Sequence, residues 1–448
     1  MKCFQTAEEL RKGRLRKENG FQNMRKSQHS FKCVNELVCD YLRFFQEEDI
    51  SNMLKIIIQL QKISKNDHCN PIDEFNGSDI LQKLCTSLLF KDSTFHIELL
   101  RFFCSILKFS QQQSIDLLVN NGFLILLMHY IDFDDEGNLY YSLKCISLLI
   151  IHSNKVSNQL LKKDCLEIFF QIIQEDSYIE DIRIESGKIL VLLSKFSLNQ
   201  SELDNILIIV RQIFGDKMLS LIWEHGLEII FNLIVNNYTA NYIMVDKEFC
   251  EILNNFLNCN DDSYLVNTLL IFYAYFENSS KKIDINYRIF VNLCLSDKQN
   301  IAEISLMTIK KIIQDNLINE IINYNLFDNL KVIIENGSFK NKYLAASIIS
   351  DIIRNDTIEI INYLINLDFI GSLVLLLEMN DLKFFNLAIG AITRLLRKNI
   401  SFEPNDIFWI QFENGGGIEV LENLVYQDCN ELSNRAKQFL EKIYSLRP

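Results

Sequence analysis

The sequence is poor in the residues that break helices and form tight turns. Its 448 residues include only 3 Pro and 14 Gly, too few for the turn-rich connections of antiparallel sheet folds. Hydrophobic residues make up 48% of the chain and charged residues 23%, as in globular rather than disordered proteins. Recurring leucine- and isoleucine-rich stretches therefore predict a mostly helical protein.

Sequence signatures of catalysis and metal binding are also missing. The six histidines form neither HExxH nor a Cys/His metal spacing: His29, His68, His96, His129, His152 and His225. The stretch NGGGIE at 414–419 lacks the GxxxxGK[ST] spacing of a phosphate loop, and no GxSxG has a strand–turn–helix context. We expect no enzymatic activity, no bound metal and no cofactor.

Signals for disulfides, secretion and membrane insertion are lacking as well. Twelve cysteines are scattered from Cys3 to Cys429 without a CxxC pair, mostly inside apolar runs. This pattern is typical of buried thiols in a reducing compartment. The N-terminus has no apolar signal core, and no run approaches the ~18 uncharged apolar residues that span a bilayer. We expect a soluble intracellular protein without membrane association.

Charge is distributed unevenly along the chain. The net charge is −13, yet residues 1–32 hold nine basic and three acidic residues, a net +6 that leaves −19 for the remainder. The acidic remainder argues against general nucleic-acid binding. A basic segment ahead of an acidic body indicates an interaction arm.

An apolar helical pattern that ends in a short polar stretch recurs along the chain. Copies read ELLRFFCSILKFS at 98–110, YSLKCISLLIIHS at 141–153 and LAASIISDIIRND at 344–356. Equivalent positions in eight copies are Leu100, Leu143, Gly187, Leu227, Leu269, Leu306, Ala346 and Ile389. Their mean spacing of about 41 residues falls in the range of armadillo and HEAT repeats.

A second pattern precedes several copies and consists of a short helix, a turn and another amphipathic helix. Gly122, Asn325, Asp368 and Gly416 occupy the turn, because these residue types best tolerate a left-handed backbone. With the long apolar helix, the two shorter helices predict a three-helix unit. About ten such units over residues 33–448 would stack into an all-α armadillo-repeat superhelical solenoid whose third helices line a concave groove.

Three stretches, in a fixed order, resemble a known family. ELRKGRLRKENGFQNMRK at 9–26 is strongly basic, and NPIDEFNGSDILQKLCTSLLF at 70–90 places a proline and an Ile-Asp pair before a helix. GGGIEVLENLVYQDCNELSNRAKQFLEKIYS at 415–445 joins a glycine turn to a final helix. Together they resemble the importin-beta-binding segment, the first repeat and the last repeat of importin alpha, a nuclear-import adaptor of ten armadillo repeats.

The resemblance implies roles for the basic arm, residues 1–32. The residues that would contact importin beta are Arg11, Lys12, Arg14, Arg16 and Lys17. Arg25 and Lys26 would be the remnant of an autoinhibitory cluster that occupies the cargo groove when importin beta is absent. The arm departs from the family because the leading arginine run is missing and the second cluster has only two bases. The alternative is a solvated basic helix or a nuclear-targeting tag.

In the same family, a Trp and an Asn four residues apart on each third helix hold lysine-rich cargo. The corresponding pairs here are Arg101/Ser105, Lys144/Leu148, Lys188/Leu192, Glu228/Asn232, Leu270/Ala274, Met307/Lys311, Ser347/Asp351 and Gly390/Arg394. Only Asn232 keeps the family residue. The two tryptophans, Trp223 and Trp409, lie off this ladder, and we expect them to pack between helices or to form a partial surface platform.

The changed pairs place a base in three consecutive repeats, at Arg101, Lys144 and Lys188. Bases there would repel a lysine-rich peptide, which favours cargo of acidic or mixed charge. Some capacity for a basic ligand remains further along the chain, in Asn232, Asp351 and the acids Glu180, Asp181, Glu185 and Glu228. The alternative is a mid-chain alignment displaced by one residue.

The resemblance predicts a nuclear-import adaptor that acts in the cytoplasm and the nucleus. Its partners would be importin beta at the arm, cargo proteins carrying localisation signals in the groove, and an export receptor at the last repeat. One alternative is an armadillo scaffold or assembly chaperone that is not engaged in transport. Another is a nucleic-acid binder that uses the arm, which the net charge of −19 on the body disfavours.

Overall fold

The structure is a computed structural model. It describes residues 34–67, 80–110, 112–132, 135–161, 165–236, 243–244, 246–279, 281–315, 317–355, 358–402, 407–426 and 430–446. The regular secondary structure within these ranges is helical, and no strand occurs within them. The chain divides into two compact units: unit 1 is Met1–Ile229 and unit 2 is Ile230–Pro448.

Twelve α-helices begin in the described part of unit 1. They are α1 (34–46), α2 (Ile50–Asp67), α3 (Ile80–Ser87), α4 (Ser93–Leu107), α5 (Gln112–Asn120), α6 (Phe123–His129), α7 (Glu136–His152), α8 (Asn154–Leu161), α9 (Cys165–Gln174), α10 (Glu180–Leu193), α11 (Gln200–Gly215) and α12 (Trp223–Val235). Short 3₁₀ segments at Tyr130–Asp132 and Lys217–Ile222 precede α7 and α12.

The described part of unit 2 contains twelve more. They are α13 (Lys247–Leu257), α14 (Asp262–Asn278), α15 (Arg288–Leu293), α16 (Gln299–Gln314), α17 (Leu326–Asn336), α18 (Phe339–Asn355), α19 (Ile358–Asn366), α20 (Phe369–Leu377), α21 (Leu382–Phe402), α22 (Ile407–Asn414), α23 (Gly417–Val425) and α24 (Asn430–Leu446). A 3₁₀ turn at Ile318–Glu320 precedes α17.

The helices form repeats in which a long third helix packs on the third helix of the next repeat. In unit 1 the run is α2, α4, α7 and α10; in unit 2 it is α14, α16, α18, α21 and α24. Each unit is therefore a stack of helical repeats, and the predicted all-α armadillo-type solenoid is confirmed. The three-helix form is complete in four repeats, which end at α7, α10, α21 and α24.

One repeat of unit 2 lacks the predicted first helix. The segment before the Asn325 turn was expected to be a short helix, but it holds only the 3₁₀ turn Ile318–Glu320. Three asparagines lie between residues 317 and 325, and Asn side chains favour local hydrogen bonds over a continuous helix.

Aspartate residues fix the starts of several third helices. Asp92 accepts a hydrogen bond from the Phe95 amide at 2.8 Å, and Asp135 accepts from two amides at the start of α7. Asp261 and Asp381 do the same for α14 and α21. Each carboxylate satisfies amides that have no partner within the helix, which typically contributes ~1 kcal/mol.

The predicted left-handed turns are confirmed. Gly122, Asn325, Asp368 and Gly416 have φ of 80°, 61°, 56° and 74°. Each lies immediately before the second helix of its repeat. The positive φ reverses the chain between the first and second segments, and places the second helix beside the third.

Aromatic side chains and thiols fill the repeat cores. Phe103 and Phe123 are fully buried, with ring centroids 4.3 Å apart. Six of the eight described cysteines are buried, as expected from their apolar surroundings. Two of them, Cys104 on α4 and Cys145 on α7, bring their Sγ atoms to 3.3 Å within the core.

Two described segments are apolar enough to bear on membrane insertion. Lys217–Val235 has the length and composition of a span, but half of it is buried inside the fold. The helices Ile360–Asn366 and Phe369–Leu377 reach the length and apolar composition of a span only when taken together, and they are bent by 74° relative to each other. Both segments pack as core helices of their repeats, which accounts for their apolar composition.

Candidate functional site

The third helices of unit 1 present the predicted groove positions on one side. Arg101 and Lys188 are exposed on α4 and α10, and Lys144, Leu148 and Leu192 are half-buried. Residues four apart share a helix face, so each pair has the same orientation. Ser105 is the exception: it is 7% exposed, and its hydroxyl donates to the Phe102 carbonyl at 2.7 Å.

A cavity of about 310 Å³ opens between these helices. Its charged lining consists of Lys108, Lys144, Glu185, Lys188, Lys195 and Glu228. Its uncharged lining consists of Ser147, Leu148, Ile151, Val191 and Leu192. We call this cavity the unit 1 groove. The structure thus brings five predicted positions into a single site: Lys144, Leu148, Lys188, Leu192 and Glu228.

Both carboxylates of the groove already have partners. Glu185 is buried on α10 and accepts from Lys188 Nζ at 3.0 Å. Glu228 on α12 lies 3.5 Å from Lys195 Nζ. Two of the four lysines are therefore neutralised locally.

Lys144 has a different partner. Its Nζ donates to the Tyr140 hydroxyl at 2.9 Å and lies 4.8 Å from the centre of the same ring. The hydrogen bond with this hydroxyl is the largest cause that raises the pKa of Lys144 above its usual range. Lys144 is therefore fully protonated at neutral pH. No ion pair joins Lys144 or the exposed Lys108 to a carboxylate within the described residues.

The base of the groove is aliphatic. Leu148 on α7 and Leu192 on α10 line the cavity, and Val191, which also lines it, is buried. Ile151 is 58% exposed although it lines the cavity. Ser147, 6% exposed, lies among these side chains, and its Oγ has no hydrogen-bond partner in the described part of the chain.

Arg101 lies outside the cavity, one helix earlier. Its guanidinium contacts Glu98 at 2.6 Å and stacks over the Tyr141 ring at 5.0 Å. The sequence predicted three bases that would repel a lysine-rich ligand. Two of them, Arg101 and Lys188, have carboxylate partners, so the repulsion expected from this face rests mainly on Lys144.

On the corresponding face of unit 2, side chains of neighbouring third helices contact each other. Lys311 on α16 pairs with Glu277 on α14 at 3.1 Å. Ser347 is buried and accepts from Lys310 at 2.7 Å. Asp351 accepts from Gln314 at 3.3 Å and lies 3.8 Å from Arg354.

Other predicted residues occupy varied places. Glu180 and Asp181 are exposed in the first turn of α10, where they complement the helix dipole. Asn232, the one retained ladder residue, is half-buried on α12. The seven predicted arm residues, Arg11, Lys12, Arg14, Arg16, Lys17, Arg25 and Lys26, lie outside the described residues.

Both tryptophans pack between helices. Trp223 donates its indole N–H to the Ile213 carbonyl at 3.0 Å. Trp409 is buried and meets Phe408 edge-on at 5.4 Å between ring centroids.

Some groove residues were missed from the sequence. Lys108 and Lys195 follow Arg101 and Lys188 by seven residues, a spacing that returns to the same helix face. Tyr140 precedes Lys144 by four residues, which places its hydroxyl within reach of the ammonium. Extending each predicted pair by one helical turn in both directions would have found all three.

The described residues contain no group of three or more His, Cys, Asp or Glu side chains arranged for a metal ion. The titratable groups of the groove other than Lys108 take part in ion pairs and hydrogen bonds. The arrangement is suited to binding a ligand by charge and apolar contact.

Comparisons with known proteins give fold similarity only. The chain is similar to the crystal structure of an engineered protein, with a TM-score of 0.63 and 15% identity over 92% of this chain and 98% of that one. It is also similar to a designed armadillo repeat protein in complex with the peptide (KR)4, with a TM-score of 0.44 and 14% identity over 54% of this chain and 99% of that one. No family model matches the sequence, and the search of curated proteins gives no match.

Proposed function

We propose that this protein is a non-catalytic adaptor of the importin-alpha type. It would hold a segment of another protein in the unit 1 groove and offer its basic arm to importin beta. The observation that carries this proposal is the basic arm of net +6 ahead of an acidic helical-repeat body. An export receptor at the last repeat, and action in both cytoplasm and nucleus, follow from the same resemblance.

The unit 1 groove supports the binding half of the proposal. It is open to solvent, it presents charged and aliphatic side chains together, and it is formed by rigid third helices. Consecutive third helices of a repeat stack form extended surfaces that suit extended protein segments.

The experiment measures the affinity of the full chain for importin beta by fluorescence anisotropy. One variant changes Arg11, Lys12, Arg14, Arg16 and Lys17 to Ala; a control variant changes only Arg25 and Lys26. We expect the five-residue variant to lose at least tenfold in affinity, since each lost base removes an attraction to an acidic partner surface. The control should change affinity much less. Equal losses in both variants would contradict the assigned contacts.

A second candidate is an armadillo scaffold or assembly chaperone outside nuclear transport. The loss of the Trp/Asn pairs favours it, because only Asn232 remains from that ladder. Absence of importin beta binding by the unaltered chain would select this candidate.

A further inference from the structure

We propose that the unit 1 groove binds an extended protein segment that carries carboxylates and an aliphatic side chain at intervals of about three residues. This inference rests on the proposed function, because it assumes that the groove holds a protein segment. It assigns the chemistry of the ligand: acidic, with an apolar anchor.

The charges of the groove determine the sign of the ligand. Glu185 and Glu228 are both paired with lysines of the groove. Lys144 has a phenol as its partner, and Lys108 has no carboxylate partner within the described residues. Glu185 also attracts Lys144, but four lysines against two carboxylates leave the lining with two positive charges in excess. An incoming carboxylate would form charge-assisted hydrogen bonds with this excess.

The aliphatic side chains of the groove determine which side chain of the ligand would anchor it. Ile151 is 58% exposed beside Leu148 and Leu192, within the same cavity as the lysines. A branched aliphatic side chain placed there would remove this surface from water. A polyanion such as single-stranded RNA would leave it uncovered, since nucleic acids bind through phosphate contacts and stacking on aromatic side chains.

Ser147 supplies an independent indication of a ligand. Its Oγ is buried and has no hydrogen-bond partner among the described residues, although the residue lines the groove. Buried polar groups are nearly always hydrogen-bonded, so an unpartnered one in a cavity calls for a partner.

The spacing of the helices determines the spacing along the ligand. Packed helices lie about 8–10 Å apart, and an extended chain rises about 3.3 Å per residue. A ligand that crosses from α7 to α10 therefore advances about three residues between helices.

The test uses the full chain and three labelled twelve-residue peptides that differ only in charge: four copies of Glu-Val-Ser, of Lys-Val-Ser and of Gln-Val-Ser. Fluorescence anisotropy gives each affinity. We expect the acidic peptide to bind at least tenfold more tightly than the other two, and its affinity to fall as salt rises.

Two variants locate the site. Lys108→Met with Lys144→Met should reduce affinity for the acidic peptide at least tenfold, because it removes the two unpaired charges and keeps the aliphatic stems. Lys310→Met with Lys311→Met, in unit 2, should leave the affinity within about twofold. Circular dichroism checks that both variants keep their helical content.

Each other outcome overturns the inference. Tighter binding of the basic peptide would refute the acidic ligand, and loss of affinity only in the unit 2 variant would refute the unit 1 groove as its site. Both results would leave segment binding, and hence the proposed function, in place. Tighter binding of a homopolymeric RNA would refute a protein ligand. Failure of all three peptides would refute the inference together with the cargo half of the proposed function; the importin beta measurement would still test the arm.

Discussion

Unit 1 and unit 2 use the same positions of their third helices in opposite ways. In unit 1 the polar side chains pair mainly within one helix: Arg101 with Glu98, Lys144 with Tyr140 and Lys188 with Glu185. The partners are three or four residues apart, the spacing at which helical neighbours meet. Pairing along one helix leaves the space between helices open.

In unit 2 several polar side chains at these positions pair between helices, although Asp351 also lies near Arg354 on its own helix. Glu277 on α14 meets Lys311 on α16. Gln314 on α16 donates to Asp351 on α18, and Arg394 on α21 reaches Ser350 on α18 at 3.3 Å. Each contact joins the third helices of two neighbouring repeats.

Under the proposed function, one repeat architecture uses its ladder positions for ligand binding in unit 1 and for cohesion between repeats in unit 2. The stability of a repeat stack is approximately the sum of the stability of each repeat by itself and the stabilisation from each interface between neighbouring repeats. Contacts such as Lys311–Glu277 stabilise the interface between neighbouring repeats. Contacts such as Lys188–Glu185 stabilise a single helix and leave the groove available.

We expect the largest difference between the two units when one lysine of each unit is replaced and the loss in free energy of unfolding is compared. Lys188→Met leaves Glu185, whose side chain is 7% exposed, without its partner. A buried carboxylate that loses its hydrogen bond destabilises the protein by about 2 kcal/mol. Lys311→Met leaves Glu277, which is 46% exposed, and should cost about 0.5 kcal/mol. Urea unfolding of both variants gives the comparison.

A rescue variant sharpens this test. Lys188→Met combined with Glu185→Gln removes the stranded charge and should recover most of the lost stability. Equal destabilisation by Lys188→Met and Lys311→Met would show that burial of Glu185 does not distinguish the two faces.

A smaller effect is expected at the turns that position the second helices. Unit 1 uses Gly122 at positive φ, and unit 2 uses Asn325, Asp368 and Gly416. Gly122→Ala meets no atom within 4 Å, so its cost comes from the φ of 80° alone, about 1 kcal/mol. Gly215→Ala is the matched control, because it also has open space but no positive φ. Thermal unfolding should show a loss only for Gly122→Ala; a comparable loss at Gly215 would contradict the backbone explanation.

These turns illustrate what the sequence alone could predict. Gly122, Asn325, Asp368 and Gly416 were identified because left-handed backbone restricts the residue type, and all four have positive φ. The repeat spacing likewise predicted the third helices, since an apolar helix face leaves a periodic signal.

The state of the groove could not be predicted in this way. Whether Lys144 is paired depends on Tyr140, and whether Lys311 is paired depends on Glu277 in the previous repeat. Side-chain conformation and helix packing determine these partners, and neither can be read from the residue types alone. The sequence predicted three repulsive bases, and the structure shows two of them paired with carboxylates.

The smallest expected difference between the units is their response to mild acid. All six histidines precede residue 230. Burial is the main cause that lowers the pKa of His96 and of His225 below the ordinary value of 6.5. The attraction of Glu228 for the protonated ring opposes the effect of burial on the pKa of His225.

The sign follows from proton binding. Because the folded state binds these protons less tightly than the unfolded state, unit 1 has its full stability above pH 6.5 and loses it as pH falls below that value. In unit 2, burial raises the pKa of Asp315 above 3.8, so this group stabilises unit 2 as pH falls. Hydrogen exchange at pH 7.0 and 5.5, corrected for intrinsic rates, should show reduced protection in α4 and α10 but not in α16 and α18. His96→Gln with His225→Gln should abolish that difference, and equal loss of protection in both units would contradict the assignment.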